Sequence, residues 1–455
     1  MNASTRVRDV AVIGAGLSGL AAARRLHAAG RDVIVLEARD RVGGRTYSVD
    51  FGGARVDLGG QWIGPTQNRV RELVDELGIE TFREHTAGRR VLDLGGTVRT
   101  FRGPVPRLPL SHTAEVALRL LQLSRLSRRI DPERPAAGRD ASRWDAMSLA
   151  QWLDENVRTS GARALLEIAT HMVFAAEPRE LSFLYWLAYV RTGQGLVRLL
   201  DTEHGAQQTR FVRGAQEMSL QMAAELGDAV RLESPVQAIE QDDTGVVVHA
   251  GSHEERARLA IVAVPPAVCG RIRFAPALPN ARVELHERMP MGSTIKAVVG
   301  YQTAFWHDAG LSGEALSDGA PVRATFDDTS ADGTEPALVA FVVGDAARDA
   351  SRLSVDERRV AVVGSLVRLF GSGAATPKRY VEKDWLADEW SGGCYTGLCG
   401  PGVLSSVGDA LRAPIGRLHF AGTETATRWT GYFDGALTAG ERAADEALDR
   451  LRSAG

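Results

Sequence analysis

Short apolar runs and longer amphipathic stretches alternate along the start of the chain. "VAVI" (residues 10–13) is β-branched and has no polar face, which predicts a strand buried in a parallel sheet. "LAAARRLHAAG" (20–30) follows with helical spacing and a closing glycine, and "DVIVLE" (32–37) predicts a second buried strand. "GGQWIGPTQNRVRELVDELGI" reads as a glycine loop feeding an amphipathic helix. From about 112 to 200 the spacing is mainly helical, interrupted by the polar stretch "DPERPAAGRDASRWD". "LQMAAELGDAVRLESPVQAIEQDDTGVVVHA" predicts helix, strand and hairpin, and "LAIVAVPP" another buried strand. "MGSTIKAVVGYQTAFW" is a strand running into an aromatic turn, and "PALVAFVVG" is a further candidate strand. The segment from Gly416 to Leu448 reads as strand, glycine loop and helix.

Composition narrows the class. At 455 residues the chain is too long for one ordinary core, so two domains are expected. A net charge of −3 offers no basic field for nucleic acid or acidic lipid. Cys269, Cys394 and Cys399 are an odd number without a C-x-x-C spacing, which speaks against a disulfide framework or a metal site and for a reducing compartment. No run reaches the roughly 18 to 20 apolar residues that span a bilayer, and the N-terminus lacks the apolar core of a signal peptide. A soluble, cytoplasmic protein without a membrane anchor is expected.

The chemistry starts where the first strand ends. Gly14, Gly16 and Gly19, with Ala15 between the first two, form G-x-G-x-x-G at a strand-to-helix turn. Gly14 permits the tight turn, Gly16 lets the backbone approach a pyrophosphate, and Gly19 allows close packing of helix on strand. Glu37 ends the second strand, where an acid binds a ribose hydroxyl and disfavours a 2′-phosphate. NAD and FAD remain. In "EARDRVGGRTYSV", Ala38 and Arg39 precede Gly43, Gly44 and Arg45; the glycines let the backbone run beside a phosphate that the arginines can neutralise. This stretch resembles the R-x-G-G-R signature of flavoprotein amine oxidases, which makes FAD the preferred cofactor. The expected fold class is α/β. A Rossmann-like FAD-binding domain is assembled from the discontinuous segments 6–82, 212–287 and 388–455. A mixed α+β substrate domain is expected from 83–211 and 288–387, with no flexible linker between the two.

"WSGGCYTG" and "HFAGTETATRWTGYFDGALTAGERAA" are similar to the monoamine oxidase family, as are "GGQWIGPTQNR", "HGAQQTRFVRGAQE", "AVPP" and "MGSTIKAVV". By itself Cys394 reads as a packed thiol. The resemblance implies instead a sulfur link from Cys394 to the 8α-methyl carbon of FAD. It also implies an aromatic cage of Tyr395 and Tyr432, whose π-faces hold the amine, and a catalytic Lys296 that holds a water against the flavin. Further cofactor contacts are implied at Gly60, Gln61, Trp62, Val236, Trp385, Gly422, Thr423, Glu424, Gly431 and Phe433. Gln207 and Met172 would stand beside the substrate, with Leu200 as a gate between entrance and cavity. Ala324 falls where the family has a gating tyrosine, which predicts a merged entrance and substrate space. The activity implied is oxidative deamination of a small amine to an imine, then aldehyde and ammonia, with oxygen reduced to hydrogen peroxide and a homodimer as a possible assembly. Two alternatives stand beside it: an L-amino-acid oxidase, for which Arg323 is the candidate carboxylate ligand, and a flavoprotein that binds FAD without turnover.

Overall fold

Val10–Ile13 is the buried end of a strand, Val7–Ile13, at the heart of an eight-stranded sheet. The computed structural model describes residues 6–103, 106, 108–319 and 321–453, so the sequence readings at both chain ends lie partly outside it. Both neighbours of the first strand, Val33–Leu36 and His253–Val262, run parallel to it. The sheet continues through Val246–Ala250, Val236–Gln241 and Arg273–Ala275 on one side and Val230–Arg231 on the other; Leu418–Phe420 pairs with His253–Val262. Period-two alternation sends Val10 and Val12 into one core and Ala11 and Ile13 into another. Both faces are covered, which is why the strand lacks a polar side in the sequence. The helices Leu17–Ala28 and Phe433–Ser453 cover the first face through Leu20, Leu26, Leu437 and Ala444.

The second sheet has seven strands, in the order Arg379–Asp384, Thr294–Gly300, Ala337–Val343, Val322–Asp327, Leu311–Ser317, Arg89–Leu94 and Thr97–Phe101. Ile295, Ala297 and Val299 face a core shared with the helix Val355–Phe370, while Val298 faces Phe326, Val339 and Phe341 on the other side. Lys296 shares the parity of Val298, so its side chain enters this second, aromatic side. The hairpin 89–101 has no counterpart in the sequence reading; its residues are mostly exposed and only Val91, Leu92 and Phe101 bury apolar side chains. The helical stretch folds as expected, with Leu110–Ser127, Leu149–Asn156, Ser160–Phe174 and Phe183–Thr192 packed around a Trp152–Phe183 stack at 4.9 Å. Among the described residues no helix is long and apolar enough to cross a membrane.

Two close approaches fix the first sheet's helices. A Cβ on Gly19 would lie 1.9 Å from the Gly14 carbonyl oxygen, and one on Gly440 would lie 2.0 Å from the Ser18 carbonyl oxygen. Gly440→Ala is therefore expected to destabilise the protein by ~1–3 kcal/mol in urea unfolding; an unchanged midpoint would show that the helices can separate freely.

Candidate active site

At the C-terminal end of the first strand the chain turns through Gly14 (φ 99°) into the helix Leu17–Ala28. Gly16 stands at the helix N-terminus with extended backbone, and no side chain caps the first turn. A Cβ on Gly16 would meet nothing within 4 Å. The open backbone N–H groups and the helix dipole thus face a cleft, the arrangement that takes an anionic diphosphate. Glu37 lines the same cleft and is 3% exposed; its oxygens accept from the backbone N–H of Ala15 at 2.7 Å and of Arg39 at 3.0 Å. Ala38, Gly43, Gly44, Val236, Gly422 and Thr423 complete the wall. These residues fit a dinucleotide.

Of the three arginines in the glycine-rich stretch, Arg39 and Arg45 line the cleft, yet neither is a free cation. Arg39 is held by Asp388 and donates to Ser391 Oγ at 2.9 Å. Arg45 donates to both oxygens of Glu424, at 2.6 and 3.1 Å, and to the Tyr395 carbonyl at 2.9 Å. Burial pushes the Glu424 carboxyl up, but Arg45 outweighs it and brings it below the usual carboxylate range. Glu424 was expected to touch cofactor; instead it is absent from the cleft wall and anchors Arg45, Thr396 and Gly397. Ala15 and Gly19 likewise build the cleft without lining it.

A second cavity, of about 130 Å³, joins the first. Cys394, Tyr395, Gly431, Tyr432, Phe433 and Gly60 line both, so these residues mark the junction. Cys394 is placed there by glycines with little alternative: Gly392 and Gly393 have φ of 67° and 139°, and a Cβ on Gly393 would lie 2.3 Å from the Gly292 carbonyl oxygen. Burial pushes the Cys394 thiol up to about 12 against the pull of Arg45, so the resting sulfur is protonated. The tyrosine hydroxyls of Tyr395 and Tyr432 are likewise held neutral by burial.

The rest of the second cavity is mostly apolar: Trp62, Met172, Val173, Phe326, Phe341 and Trp385, with Gln61, Gln207, Thr294 and Lys296 as polar members. Gln61, Trp62 and Trp385 line this second cavity, beside the junction. Gln207 Nε2 donates to the Leu199 carbonyl at 2.9 Å, which leaves its buried Oε1 without a partner. Among the described residues the wall has no carboxylate and no arginine.

Three residues named from the sequence do not line this cavity. Leu200 ends the helix Leu196–Leu200 and packs against the helical core; Ala206 and Gln207 form the wall there. Ala324 is fully buried but its methyl stops short of the cavity. Two residues on, Phe326 reaches the wall and packs edge-on against Trp62 at 5.2 Å, so the small residue does not open the space. Arg323 hydrogen-bonds the Asp318 carbonyl and lines neither cavity.

Behind the cavity lies a buried polar network, of which the sequence reading named Lys296 and Gln61 but missed Asp57, Glu84, Arg210 and Asp328. Lys296 Nζ donates to the Gly59 carbonyl at 2.8 Å and to Gln61 Oε1, and Gln61 Nε2 donates to Asp328 at 3.0 Å. Arg210 pairs with Asp328 at 2.6 Å and approaches Glu84 at 3.9 Å; Trp62 Nε1 donates to Glu84 at 2.6 Å. Burial raises Glu84 to about 8 and Asp57 to about 6, and lowers Lys296 to about 8. The available signal was the scarcity of lysine: Lys296, Lys378 and Lys383 are the only lysines among 54 basic residues. Because Glu84 is raised, the folded protein holds a proton that the unfolded chain has lost between its ordinary carboxylate value and pH 8. Stability from this group therefore falls as pH rises through that window. Glu84→Gln, fixed neutral, is expected to gain melting temperature over wild type at pH 9 but not at pH 5; equal differences at both would show Glu84 ionised throughout.

The comparisons with known proteins agree with this geometry. The family of flavin containing amine oxidoreductases matches residues 17–448. A probable flavin-containing monoamine oxidase A of Dictyostelium discoideum is 39% identical over 97% of this chain and 98% of its own. The flavin-containing amine oxidase B of Homo sapiens is 40% identical over 97% of this chain and 86% of its own. Cyclohexylamine oxidase from Brevibacterium oxydans IH-35A superposes with a TM-score of 0.94 at 35% identity, over 98% of this chain and 100% of that one. A wild-type putrescine oxidase bound to putrescine gives 0.93 at 33% identity, over 98% and 100%. With the dinucleotide cleft opening onto an aromatic amine-sized cavity, this chain belongs to the flavin-containing amine oxidoreductase family and carries out FAD-dependent amine oxidation.

Proposed function

We propose that the enzyme oxidises a monoamine with an apolar carbon skeleton, held between Tyr395 and Tyr432, on FAD joined to the chain through Cys394. The observation that carries this reading is the junction: Cys394, both tyrosines and Phe433 line the dinucleotide cleft and the apolar cavity alike. A diamine's far ammonium, as in putrescine, finds no carboxylate in the cavity wall, and an amino acid finds no arginine. FAD, when bound, supplies the two-electron acceptor.

The chain's own residues do the rest. Gly14, Gly16 and the helix N-terminus take the diphosphate, and Glu37 the ribose. The aromatic wall binds the amine's skeleton and excludes water, which strengthens every electrostatic contact inside. The tyrosine faces favour positive charge growing at the substrate nitrogen. Gln207 Oε1, buried and unpartnered, can accept a substrate N–H. Lys296, as an ammonium, stabilises negative charge that develops on oxygen during reoxidation. Every residue lining the cleft falls within 6–82, 212–287 or 388–455, which supports assigning these stretches to the FAD domain and 83–211 with 288–387 to the substrate side.

Two experiments test these roles. Wild-type protein precipitated with acid should keep its flavin in the pellet, while Cys394→Ser should release it; flavin freed from the wild type would end the covalent assignment. Lys296→Met should slow oxygen-dependent reoxidation by on the order of 100-fold and leave anaerobic reduction by amine far less affected. Equal losses in both half-reactions in stopped-flow traces would remove Lys296 from the oxygen step.

A further inference from the structure

We propose that Asp328 is a positioning residue that keeps Lys296 in its ammonium form at the cavity wall, acting through Gln61 and held in place by Arg210. The inference rests on the assignment of Lys296 to the oxygen step, and deepens it.

The connection is continuous and buried. Gln61 is 1% exposed and its amide is oriented by both neighbours: the oxygen accepts from Lys296, and the nitrogen donates to Asp328 Oδ1 at 3.0 Å. Arg210 meets the same Oδ1 at 2.6 Å and donates to the backbone carbonyls of Asp328 and Thr329 at 3.1 and 3.0 Å. Asp328 is 1% exposed, and its other oxygen has no hydrogen-bond partner. A buried carboxylate with one oxygen unpaired is costly unless its charge serves a cation nearby. Arg210 is one such cation, and Lys296 the other.

Charge balance supports the arrangement. With Glu84 raised to about 8, and so neutral at pH 7, Arg210 and Lys296 face Asp328 and Asp57; burial raises both of these carboxyls as well, Asp57 to about 6, and at Asp328 the charges of Arg210 and then Lys296 pull the other way. Burial lowers the proton affinity of Lys296; Asp328 is the strongest opposing influence on it, followed by Asp57, and the balance leaves it near 8. The remaining neighbours do not compete. The strand Ala337–Val343 has no ionisable residue, Lys383 is paired to Asp388 at 2.9 Å, Asp384 accepts from Ser351, and Asp327 is held by Trp306 and His307. Cys394 and Tyr395 are neutral through burial. The Lys296 ammonium also lies 5.5 Å from the ring centres of both Trp62 and Phe341, which favours its charged form. A lysine suits this position because its proton affinity can be set by such neighbours, whereas arginine stays charged regardless.

Three lysines in the chain make the test direct. Holoenzyme labelled with ε-13C-lysine should give three side-chain NMR signals, and Lys296→Met identifies the one that titrates near pH 8. In Asp328→Asn, which keeps the shape and removes the charge, that titration should move down by ~1 unit or more while Lys378 and Lys383 stay unmoved. The pH at which reoxidation slows in stopped-flow should move with it. An unchanged Lys296 titration in Asp328→Asn overturns the proposal, even where Lys296→Met confirms the role of the lysine. If Lys296→Met reoxidises like wild type, the oxygen assignment fails instead, and the titration still reports the coupling. Should Asp328→Asn not accumulate as holoenzyme, Gln61→Leu reads the same link: the Lys296 titration should again fall, and an unmoved titration would overturn the proposal.

Discussion

Arg45 and Glu424 hold the site together. Their side chains meet through two hydrogen bonds, and 379 positions of chain separate them. Arg45 brings the glycine loop of the dinucleotide cleft, Glu424 brings the loop at Gly422, and both reach the segment after Cys394 through the Tyr395 carbonyl, Thr396 and Gly397. Removing either partner would strand the other's charge in a buried place, at a cost of ~3–5 kcal/mol. Three stretches that could each bind a piece of cofactor are thereby fixed against one another, so the cofactor cleft and the substrate cavity share a boundary.

On the far side of that boundary a single positive charge stands in an aromatic wall. The alternation of the strand Thr294–Gly300 points Lys296 away from the helix-covered core and into the cavity. An isolated ammonium there would shed its proton. The buried acids behind it, Asp328 through Gln61 and Asp57 by its charge alone, set how far its proton affinity falls, and Arg210 offsets their mutual repulsion. The pattern is one of paired charges placed just outside a dry pocket, with the pocket wall itself free of carboxylates.

The parts of this molecule that depend on near neighbours were legible in the sequence. The strand–glycine–helix–strand unit at 7–37 declares itself because each residue's role is local; the strand at 337–343 shows as an unbroken apolar run, and that at 294–300 as an apolar run interrupted by Lys296. What escaped was set by contacts across long separations. The pairing of Glu424 with Arg45 has no local sign in the sequence. Glu84, Arg210 and Asp328 come from three distant segments and look like ordinary charged residues until the fold buries them together. The hairpin 89–101 is mostly exposed, so its pattern carries little apolar signal. Leu200 and Ala324 were placed by resemblance alone; their neighbours Ala206, Gln207 and Phe326 form the wall because of helix end-point and side-chain reach, which residue identity does not report.

The claim on which all of this turns is that an apolar amine enters the aromatic cavity and gives its electrons to the flavin next door. Anaerobic titration of the FAD-loaded protein with benzylamine, followed by its visible absorbance, tests it most directly. The account predicts bleaching of the yellow colour in proportion to amine added, and its return with hydrogen peroxide when oxygen is admitted. A flavin that stays oxidised with benzylamine but bleaches with an amino acid or a diamine would contradict it.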